Sequence, residues 1–310
     1  MRALLIVNPH ATSTTRLRRD VIARALASAV ELEIVETRYR GHGTSLAADA
    51  ASAGCGLVIT LGGDGTVNEV VNGLLRGPVP PALAPLPGGS ANVFARALGL
   101  PQDPVDAAGQ VLSALAEGRF RSIGLGLADD RYFTFNSGMG LDAEVVRAVE
   151  GRRAHGRSVS PALYMRMAGR QFWRLTDRHT PSMHVDSPGR EGPDHLGRPL
   201  FWCTVSNTSP WTYVGRRPVQ TNPEASFDSG LDVFGLRSLS TARTLGTLRQ
   251  MLSRRQSGPP RGRGVVTAHN LAALTLTADR PVAFQIDGEY VGERERVCFR
   301  SVPDTLRVVM

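Results

Sequence analysis

Residues 57–69 have the sequence LVITLGGDGTVNE, in which an apolar run passes directly into a glycine-rich turn. The run predicts a buried strand over Gly56–Leu61, and the residues after the turn predict a helix over Thr66–Leu75. Thr66 and Glu69 have the spacing of a capping box, so we expect this helix to begin at Thr66. The N–H groups of such a turn and the helix dipole are suited to binding phosphate. A tight turn without a ligand is the alternative.

Strand-like and helix-like segments alternate around this turn. Apolar runs predict strands at Ala3–Val7 and Glu33–Glu36, and helical spacing predicts helices over Thr15–Ser28 and Ser45–Ser52. Strands that alternate with helices are typical of parallel βαβ units. Residues 1–125 are therefore expected to form a layered α/β domain with a parallel sheet.

A second glycine-rich turn lies in Pro87–Arg96, which reads PGGSANVFAR. Ser90 is the expected N-cap of the helix that follows. In an open α/β sheet, both glycine turns belong to the edge where the strands have their carboxyl ends. The loop Asn8–Thr12 is expected at that edge too. The three segments together predict a nucleoside triphosphate site.

From about residue 130 the sequence changes to short, alternating segments separated by Gly, Pro and Asp turns. This pattern predicts an all-β second domain with one helical stretch near 161–175. The expected strands are Tyr132–Asn136, Met183–Asp186, Phe201–Ser206, Leu231–Leu236, Leu271–Thr277, Val282–Ile286 and Arg296–Arg300. Asn136–Ala143 (NSGMGLDA) is interpreted as another glycine-rich turn before a helix.

Gln285–Glu289 (QIDGE) places two carboxylates, Asp287 and Glu289, two positions apart. On an extended strand, residues i and i+2 face the same way, so both carboxylates can point at one phosphate-transfer centre. Asp-Gly is also a hairpin turn signal, and the segment alone leaves both interpretations open.

The charge of the chain limits its function class. The 310 residues carry 36 basic and 28 acidic side chains for a net charge of +8, and every basic residue is arginine. A chain without lysine lacks the essential lysine of P-loop NTPases, of protein kinases and of pyridoxal enzymes. Its basic character favours phosphates, nucleic acid or anionic lipid as partners. No apolar run approaches the ~20 residues of a membrane span, and three scattered cysteines fit a reducing cytoplasm.

Five motifs occur in order along the chain: GGDGTVNEVVNGL, PGGSANVFARALGLP, FNSGMGLDAEVV, ASFDSGLDV and QIDGE. In this combination the chain resembles the diacylglycerol kinase catalytic family, which includes bacterial soluble lipid kinases and the sphingosine and ceramide kinases. The resemblance covers nearly the whole sequence. It implies a phosphofructokinase-like α/β domain that binds ATP, formed by residues 1–128 and a strand returning at about 303–310. It also implies a β-sandwich-like lipid-substrate domain at 129–302.

The resemblance implies ATP-dependent phosphorylation of a hydroxyl of diacylglycerol or a similar lipid, with Mg²⁺. Asp287 and Glu289 match the catalytic pair, one of them accepting the proton of the lipid hydroxyl. Asp64 is a second candidate acid near the transferring phosphate, acting through magnesium. The expected ATP-binding residues are Asn8, Pro9, His10, Ala11, Thr12, Thr37, Gly62, Gly63, Asp64, Gly65, Thr66, Val67, Asn68, Gly88, Gly89, Ser90 and Asn92.

Four positions depart from the family pattern. His10–Thr12 lacks the usual glycine, Val93 and Gly124 replace two acids, and Ser229 replaces one aspartate of a structural-metal motif, which leaves Asp228 as the metal candidate. The losses at 93 and 124 thin the acidic network that holds catalytic magnesium through water. Altered metal use and a non-catalytic protein therefore stay open.

Two basic segments predict docking on an anionic membrane. Gly151–Thr180 has seven arginines and one acid, Asp177, interleaved with aromatic and methionine residues. Leu245, Leu248 and Leu252 share one side of a second, arginine-bearing helix. Such segments suit peripheral binding at the inner face of the membrane, although a solvated helix with its apolar side in the core is the alternative.

Two other functions stay open at this point. A small-molecule kinase of the NAD-kinase or phosphofructokinase kind also uses GGDGT, and a basic membrane- or nucleic-acid-binding protein with a vestigial nucleotide pocket needs no catalysis. No recognised nucleic-acid-binding motif is present, so nucleic acid is not an expected partner. The acceptor lipid is open, and a homodimer is possible.

Overall fold

The structure is a computed structural model that describes residues 1–12, 15–154, 161–175, 177, 179–187, 198–253 and 258–310. The chain forms two compact units, Met1–Leu125 with Pro303–Met310, and Gly126–Val302. It passes from the first unit to the second within β5 (Phe120–Ala128) and returns within β15 (Glu289–Val309).

The first unit is built on a parallel sheet. Its strands are β1 (Arg2–Val7), β2 (Glu31–Glu36), β3 (Leu57–Gly62) and β4 (Ala82–Pro87). They lie in the order β2-β1-β3-β4, and Val308 near the end of β15 pairs in parallel with Leu83 of β4. Strands β3 and β4 are buried along their whole length, as parallel strands covered on both faces are. The prediction of a parallel, layered α/β architecture is confirmed.

Among the described residues of this unit, five helices flank the sheet. They are α1 (Arg16–Ala27), α2 (His42–Ser52), α3 (Asp64–Leu74), α4 (Val93–Ala97) and α5 (Pro104–Ala116). Thr15 caps α1 by accepting a hydrogen bond from the backbone N–H of Arg18. Only part of the predicted apolar face of α1 is buried, because Ile22 and Leu26 enter the core while the Leu17 side chain is 76% exposed.

The predicted start of the helix after the first glycine-rich turn is wrong. Helix α3 begins at Asp64 rather than Thr66. The residue at its N-cap position is Gly63, so no side chain caps the helix there. The expected capping box does not form because the Glu69 carboxylate instead accepts hydrogen bonds from the N–H groups of Gly41 (2.7 Å) and Gly43 (3.0 Å), at the start of α2. Glu69 therefore joins two helices of the unit.

The second unit is rich in strands. They are β6 (Arg131–Phe133), β7 (Asn136–Gly140), β8 (Met183–Asp186), β9 (Trp202–Ser206), β10 (Thr212–Val214), β11 (Arg217–Val219), β12 (Leu231–Leu236), β13 (Val265–Leu271) and β14 (Ala273–Ile286). The main antiparallel order is β13-β12-β9-β7-β14-β15, with β8 also paired to β14. β5 pairs with β6, and β10 with β11. The prediction of a strand-rich second unit is confirmed.

The second unit has more helix than expected. Helix α6 (Leu141–Ala154), helix α7 (Pro161–Arg170), a π-helical turn (Gln171–Leu175) and helix α8 (Thr241–Met251) lie between its strands. In the described part of the chain, no helix combines the length and apolar character that crossing a bilayer requires.

Some predicted strand boundaries in this unit are also wrong. Asn136–Gly140 is not a turn but the buried strand β7, which pairs with β9 and β14. Its glycines serve close packing, since a Cβ at Gly140 would lie 2.4 Å from the carbonyl oxygen of Phe201. The predicted strands Leu271–Thr277 and Val282–Ile286 belong largely to the single long strand β14.

Candidate active site

The two glycine-rich turns of the first unit are in direct contact. The N–H of Gly88 donates a hydrogen bond to the carbonyl of Gly62 (2.7 Å). A Cβ at Gly89 would lie only 2.7 Å from the Cα of Gly63, and one at Gly63 would lie 3.3 Å from the Cα of Gly89. The turns after β3 and β4 thus pack backbone against backbone at one edge of the sheet. Their glycines are too close together for side chains at Gly63 or Gly89.

The first loop joins the same edge through Asn8. Its N–H donates to the carbonyl of Leu61 (2.9 Å), and its Nδ2 donates to Oγ1 of Thr66 (3.0 Å). Its Oδ1 accepts from the N–H of His10 (3.0 Å), which shapes the loop. Thr37 follows β2, and its N–H donates to the carbonyl of Val7 (2.8 Å). Four consecutive strand ends therefore contribute to this edge.

Asp64 and Asn92 connect the two glycine turns to their helices. Oδ1 of Asp64 accepts a hydrogen bond from the N–H of Phe94 in α4 (3.1 Å). Asn92, which has positive φ, is the residue immediately before α4. The prediction that Ser90 caps this helix is therefore wrong. The Asn92 side chain accepts from the N–H of Gly89 and donates to its carbonyl, both at 2.8 Å. Asn92 thereby closes the second turn on itself, which explains why the N-cap lies two residues after the predicted serine.

The first turn of α3 presents its backbone to this edge. The first helical hydrogen bond runs from the N–H of Val67 to the carbonyl of Gly63 (3.1 Å), so the N–H groups of Gly65 and Thr66 have no partner inside the helix. A Cβ at Gly65 would meet no atom within 4 Å, so open space lies beside it. Backbone donors at a helix start, next to side-chain-free turns, fit the phosphate groups of ATP.

Two residues predicted to bind ATP are turned away from this open side. Val67 and Asn68 are buried, and Oδ1 of Asn68 accepts a hydrogen bond from Asn72 (3.3 Å). Contact of these two residues with a nucleotide would be limited to their backbone. His10 and Thr12, in contrast, are exposed in the first loop.

In the second unit, Asp287 and Gly288 are the two central residues of the hairpin between β14 and β15. Ile286 pairs with Glu289, and φ is +47° at Asp287 and +75° at Gly288. Positive φ at both central positions is the signature of a type I′ turn, for which Asp-Gly is a favoured pair. The hairpin interpretation is therefore right. The expectation that Asp287 and Glu289 face the same way along an extended strand is wrong, because Asp287 lies in the turn.

The Asp287 carboxylate is buried, with the residue 4% exposed, and both of its oxygens accept hydrogen bonds. Oδ2 accepts from the N–H (2.7 Å) and the Oγ1 hydroxyl (2.8 Å) of Thr134. Oδ1 accepts from the N–H groups of Phe135 (3.0 Å) and Asn136 (3.2 Å). Asp287 therefore fixes the connection between β6 and β7 to the hairpin.

Glu289 has different surroundings. Its side chain is 15% exposed and makes an ion pair with the guanidinium of Arg131, a residue that the sequence did not single out. Arg131 lies on β6, beside the connection that Asp287 fixes. Of the two acids of the hairpin, Glu289 is the more exposed, and a guanidinium binds its carboxylate.

Replacement of Asp287 by Ala tests its structural role. The variant leaves the N–H groups of Thr134, Phe135 and Asn136 without their buried acceptor, and each such loss costs about 1–3 kcal/mol. We expect the free energy of unfolding to fall by at least about 3 kcal/mol, measured by urea denaturation. The matched control is Asp279→Ala on β14, where the carboxylate is exposed, and its stability should stay within about 0.5 kcal/mol of wild type. Equal effects of the two substitutions would contradict this role.

Asp228 is the residue that the sequence offers as a metal ligand. Its side chain is exposed, and Oγ of Ser229, at the position of the missing aspartate, donates to the carbonyl of Ser226 (3.0 Å). Among the residues that the structure describes, no group of three or more His, Cys, Asp or Glu side chains is arranged to hold a metal ion. Asp228 therefore belongs to no such group within the described part of the chain.

Known proteins resemble this chain in sequence and in fold. Residues 2–127 match the diacylglycerol kinase catalytic domain. The chain is 36% identical over 146 residues to a protein of Chromohalobacter salexigens named "Probable lipid kinase YegS-like", a match that covers 46% of this chain and 45% of that protein. It is 36% identical over 156 residues to a diacylglycerol kinase of Bacillus subtilis, covering 49% and 50%. The matches thus span about half the length of these relatives.

The whole fold has a counterpart among solved structures. A diacylglycerol kinase structure from Bacillus anthracis superimposes with a TM-score of 0.71 over 99% of this chain and 96% of that chain. The sequence identity is 20%. This similarity concerns the fold.

Proposed function

We propose that this chain, which carries a diacylglycerol kinase catalytic domain in residues 2–127, is a lipid kinase. It transfers the γ-phosphoryl group of ATP to a free hydroxyl of diacylglycerol or a related lipid. The observation that supports this most is the edge of the first unit where Gly62–Gly63, Gly88–Gly89 and Asn8 meet at the first turn of α3.

ATP would bind with its phosphates against this edge. The N–H groups of Gly65 and Thr66 and the glycine turns donate to phosphate oxygens, and the positive end of the α3 dipole favours their charge. Phosphoryl transfer depends on such positioning and charge neutralisation. Mg²⁺ usually binds through one or two carboxylates together with substrate phosphates and water, and Asp64 is the carboxylate suited to that role here. The ion would neutralise charge on the transferring group.

Glu289 is the residue we propose as proton acceptor for the lipid hydroxyl. A general base needs a carboxylate oxygen that can reach the hydroxyl, and both oxygens of Asp287 are occupied by buried donors. The Arg131 guanidinium holds the Glu289 carboxylate by an ion pair at the end of the hairpin. Of the two acids that the sequence offers for this role, we therefore place Glu289 before Asp287.

We further propose that the enzyme reaches its lipid by peripheral docking on anionic membrane. Trp173 is 52% exposed, and Arg166, Arg170 and Arg249 are exposed, a combination suited to anionic headgroups. Not every predicted apolar residue takes part, because Met167 packs against α6, and Leu248 and Leu252 pack in the core. The structure does not describe the side chains of the other residues in these segments: Arg153, Arg157, Tyr164, Met165, Arg174, Arg178, Arg254 and Arg255.

Membrane docking is tested by co-sedimentation of wild type and Trp173→Ala with vesicles of phosphatidylglycerol or of phosphatidylcholine. We expect the variant to bind phosphatidylglycerol vesicles more weakly than wild type, and we expect no difference between the two proteins with phosphatidylcholine.

The function is tested by incubating the protein with ATP carrying a labelled γ-phosphate, Mg²⁺ and mixed micelles of one lipid at a time. The lipids are diacylglycerol, a polyprenol, a sphingoid base and ceramide, and soluble acceptors such as NAD and fructose 6-phosphate form a second panel. Label in an organic-extractable product supports the proposal and identifies the acceptor. Label confined to a soluble acceptor contradicts it and favours a small-molecule kinase.

A further inference from the structure

A buried carboxyl group lies at the start of α6, apart from the residues assigned above. Asp142 is 5% exposed, and burial raises its pKa to about 7. Its position against β7 depends on Gly138, because a Cβ there would lie 2.6 Å from Oδ2 of Asp142. The NSGMGLDA segment thus places an acid that changes charge near neutral pH inside the core of the second unit.

Hydrogen-bond donors surround this carboxyl. The N–H of Ala143 donates to Oδ1 (2.8 Å), and Nε2 of Gln285 donates to Oδ2 (3.1 Å). The buried indole N–H of Trp202 is a third donor near Asp142, and it too lowers the pKa of the carboxyl against the larger effect of burial. Donors favour the ionised form of an acid, so these hydrogen bonds offset part of the rise in pKa that burial causes.

Gln285 connects Asp142 to the hairpin. Its Nε2 also donates to Oδ1 of Asn136 (2.9 Å), and its Oε1 accepts from the N–H of Gly288 (2.8 Å). Gly288 stands between Asp287 and Glu289 in the turn. A single side-chain amide therefore spans the distance from the Asp142 carboxyl to the backbone of the residue next to the proposed base.

We propose that Asp142 is a positioning residue, whose ionised carboxylate holds the Gln285 amide and through it the hairpin that presents Glu289. When Asp142 is protonated, its proton coming from solvent, the Gln285 contact weakens and the Gly288 N–H is held less firmly. The effect on phosphoryl transfer rests on the proposed function, whereas the effect on the hairpin does not.

The ionisable groups around Asp142 bear on the expected pH dependence. Cys203 on β9 faces Asp142, and burial raises the pKa of its thiol, which stays neutral around pH 7. Three other charged groups of α6 contact residues other than Asp142: Glu144 contacts Gln171, Arg147 contacts Glu293, and Glu150 accepts from the N–H of Tyr290. The carboxylates of Asp287 and Glu289 are held by the β6–β7 connection and by Arg131.

The expected pH dependence has opposite signs for stability and for transfer. The pKa of Asp142 is higher in the folded chain than the ordinary value of 3.8, so the folded state binds the extra proton. Stability is then lost as pH rises from about 4 through 7. Transfer should instead rise roughly tenfold from pH 6 to 8, because a hydrogen bond to a charged acceptor is stronger than one to a neutral acceptor.

The test compares wild type, Asp142→Asn, Gln285→Met and the exposed control Asp279→Asn between pH 5 and 8.5. Three quantities are measured: tryptophan fluorescence, amide-exchange protection of Gly288 corrected for intrinsic rates, and kcat for lipid phosphorylation. Wild type and Asp279→Asn should show a fluorescence step near pH 7, with Gly288 protection and kcat rising across it. Asp142→Asn should lose all three steps. Gln285→Met should keep the fluorescence step and lose the other two.

Several results would overturn the inference: no fluorescence step in wild type, a step that persists in Asp142→Asn, or Gly288 protection that is independent of pH in wild type. The fluorescence and exchange measurements need neither ATP nor lipid. Absence of transfer with these two pH steps present would therefore contradict the proposed function while supporting the role of Asp142 in holding the hairpin.

Discussion

Glu289→Gln is expected to lower the rate of lipid phosphorylation by about 10²–10⁴-fold, the usual contribution of a general base. The substitution keeps the size of the side chain but removes the charge that accepts the hydroxyl proton. ATP binding should remain close to wild type, since the phosphate edge belongs to the first unit. Single-turnover transfer and calorimetric ATP titration measure the two effects separately.

The control for this prediction is Asp287→Asn. An amide at position 287 places one N–H₂ group against the donors of Thr134 or of Phe135 and Asn136, so we expect a loss of stability in addition to any loss of rate. Glu289→Gln should lower the unfolding temperature less than Asp287→Asn, because the Gln oxygen still accepts a hydrogen bond from Arg131. If Glu289→Gln retained full activity while Asp287→Asn was folded and inactive, the assignment of Glu289 as the base would be wrong.

Gly89→Ala is expected to weaken ATP binding by about 100-fold or more. The new Cβ would lie 2.7 Å from the Cα of Gly63 and 3.0 Å from Oδ1 of Asn92, so the two glycine turns must move apart. Hydrogen bonds to charged phosphate oxygens contribute about 1.5–3 kcal/mol each, so losing one or two of them corresponds to about 100-fold in affinity. Calorimetric titration with ATP gives the affinity, and circular dichroism reports whether the sheet is retained.

Gly109→Ala is a matched control for that substitution. Gly109 lies in helix α5, where an added Cβ meets no atom within 4 Å. Alanine is the better helix former by about 1 kcal/mol, so this variant should be at least as stable as wild type and should bind ATP normally. Unchanged ATP affinity in Gly89→Ala would show that the contact between the two turns does not form the phosphate site.

The first unit was largely predictable because its signals are local. The apolar run of Leu57–Gly62 and the glycines after it fix a strand and a turn within a few residues. The helix start was not predictable, since the partner that removes Glu69 from its capping box is the backbone of Gly41 and Gly43 in another helix. Local spacing cannot reveal a competing acceptor or donor that is distant in sequence.

The second unit shows the same limit more strongly. The partners of Asp287 are residues 134–136, about 150 positions away, and nothing in QIDGE indicates them. The glycines of strand β7 suggest a turn in the sequence. In the structure they allow close packing, of Gly138 against Asp142 and of Gly140 against the carbonyl of Phe201. The expected homodimer and inner-membrane location stay predictions, because they depend on surfaces that local patterns do not define.

Transfer of labelled γ-phosphate from ATP to diacylglycerol in mixed micelles tests the proposed function most directly, with wild type, Gly89→Ala and Glu289→Gln assayed side by side. We expect wild type to produce labelled lipid. Gly89→Ala should lose both ATP binding and product, whereas Glu289→Gln should lose product but still bind ATP. Wild-type protein that binds ATP and labels neither diacylglycerol nor any other lipid of the panel would contradict assignment as a lipid kinase.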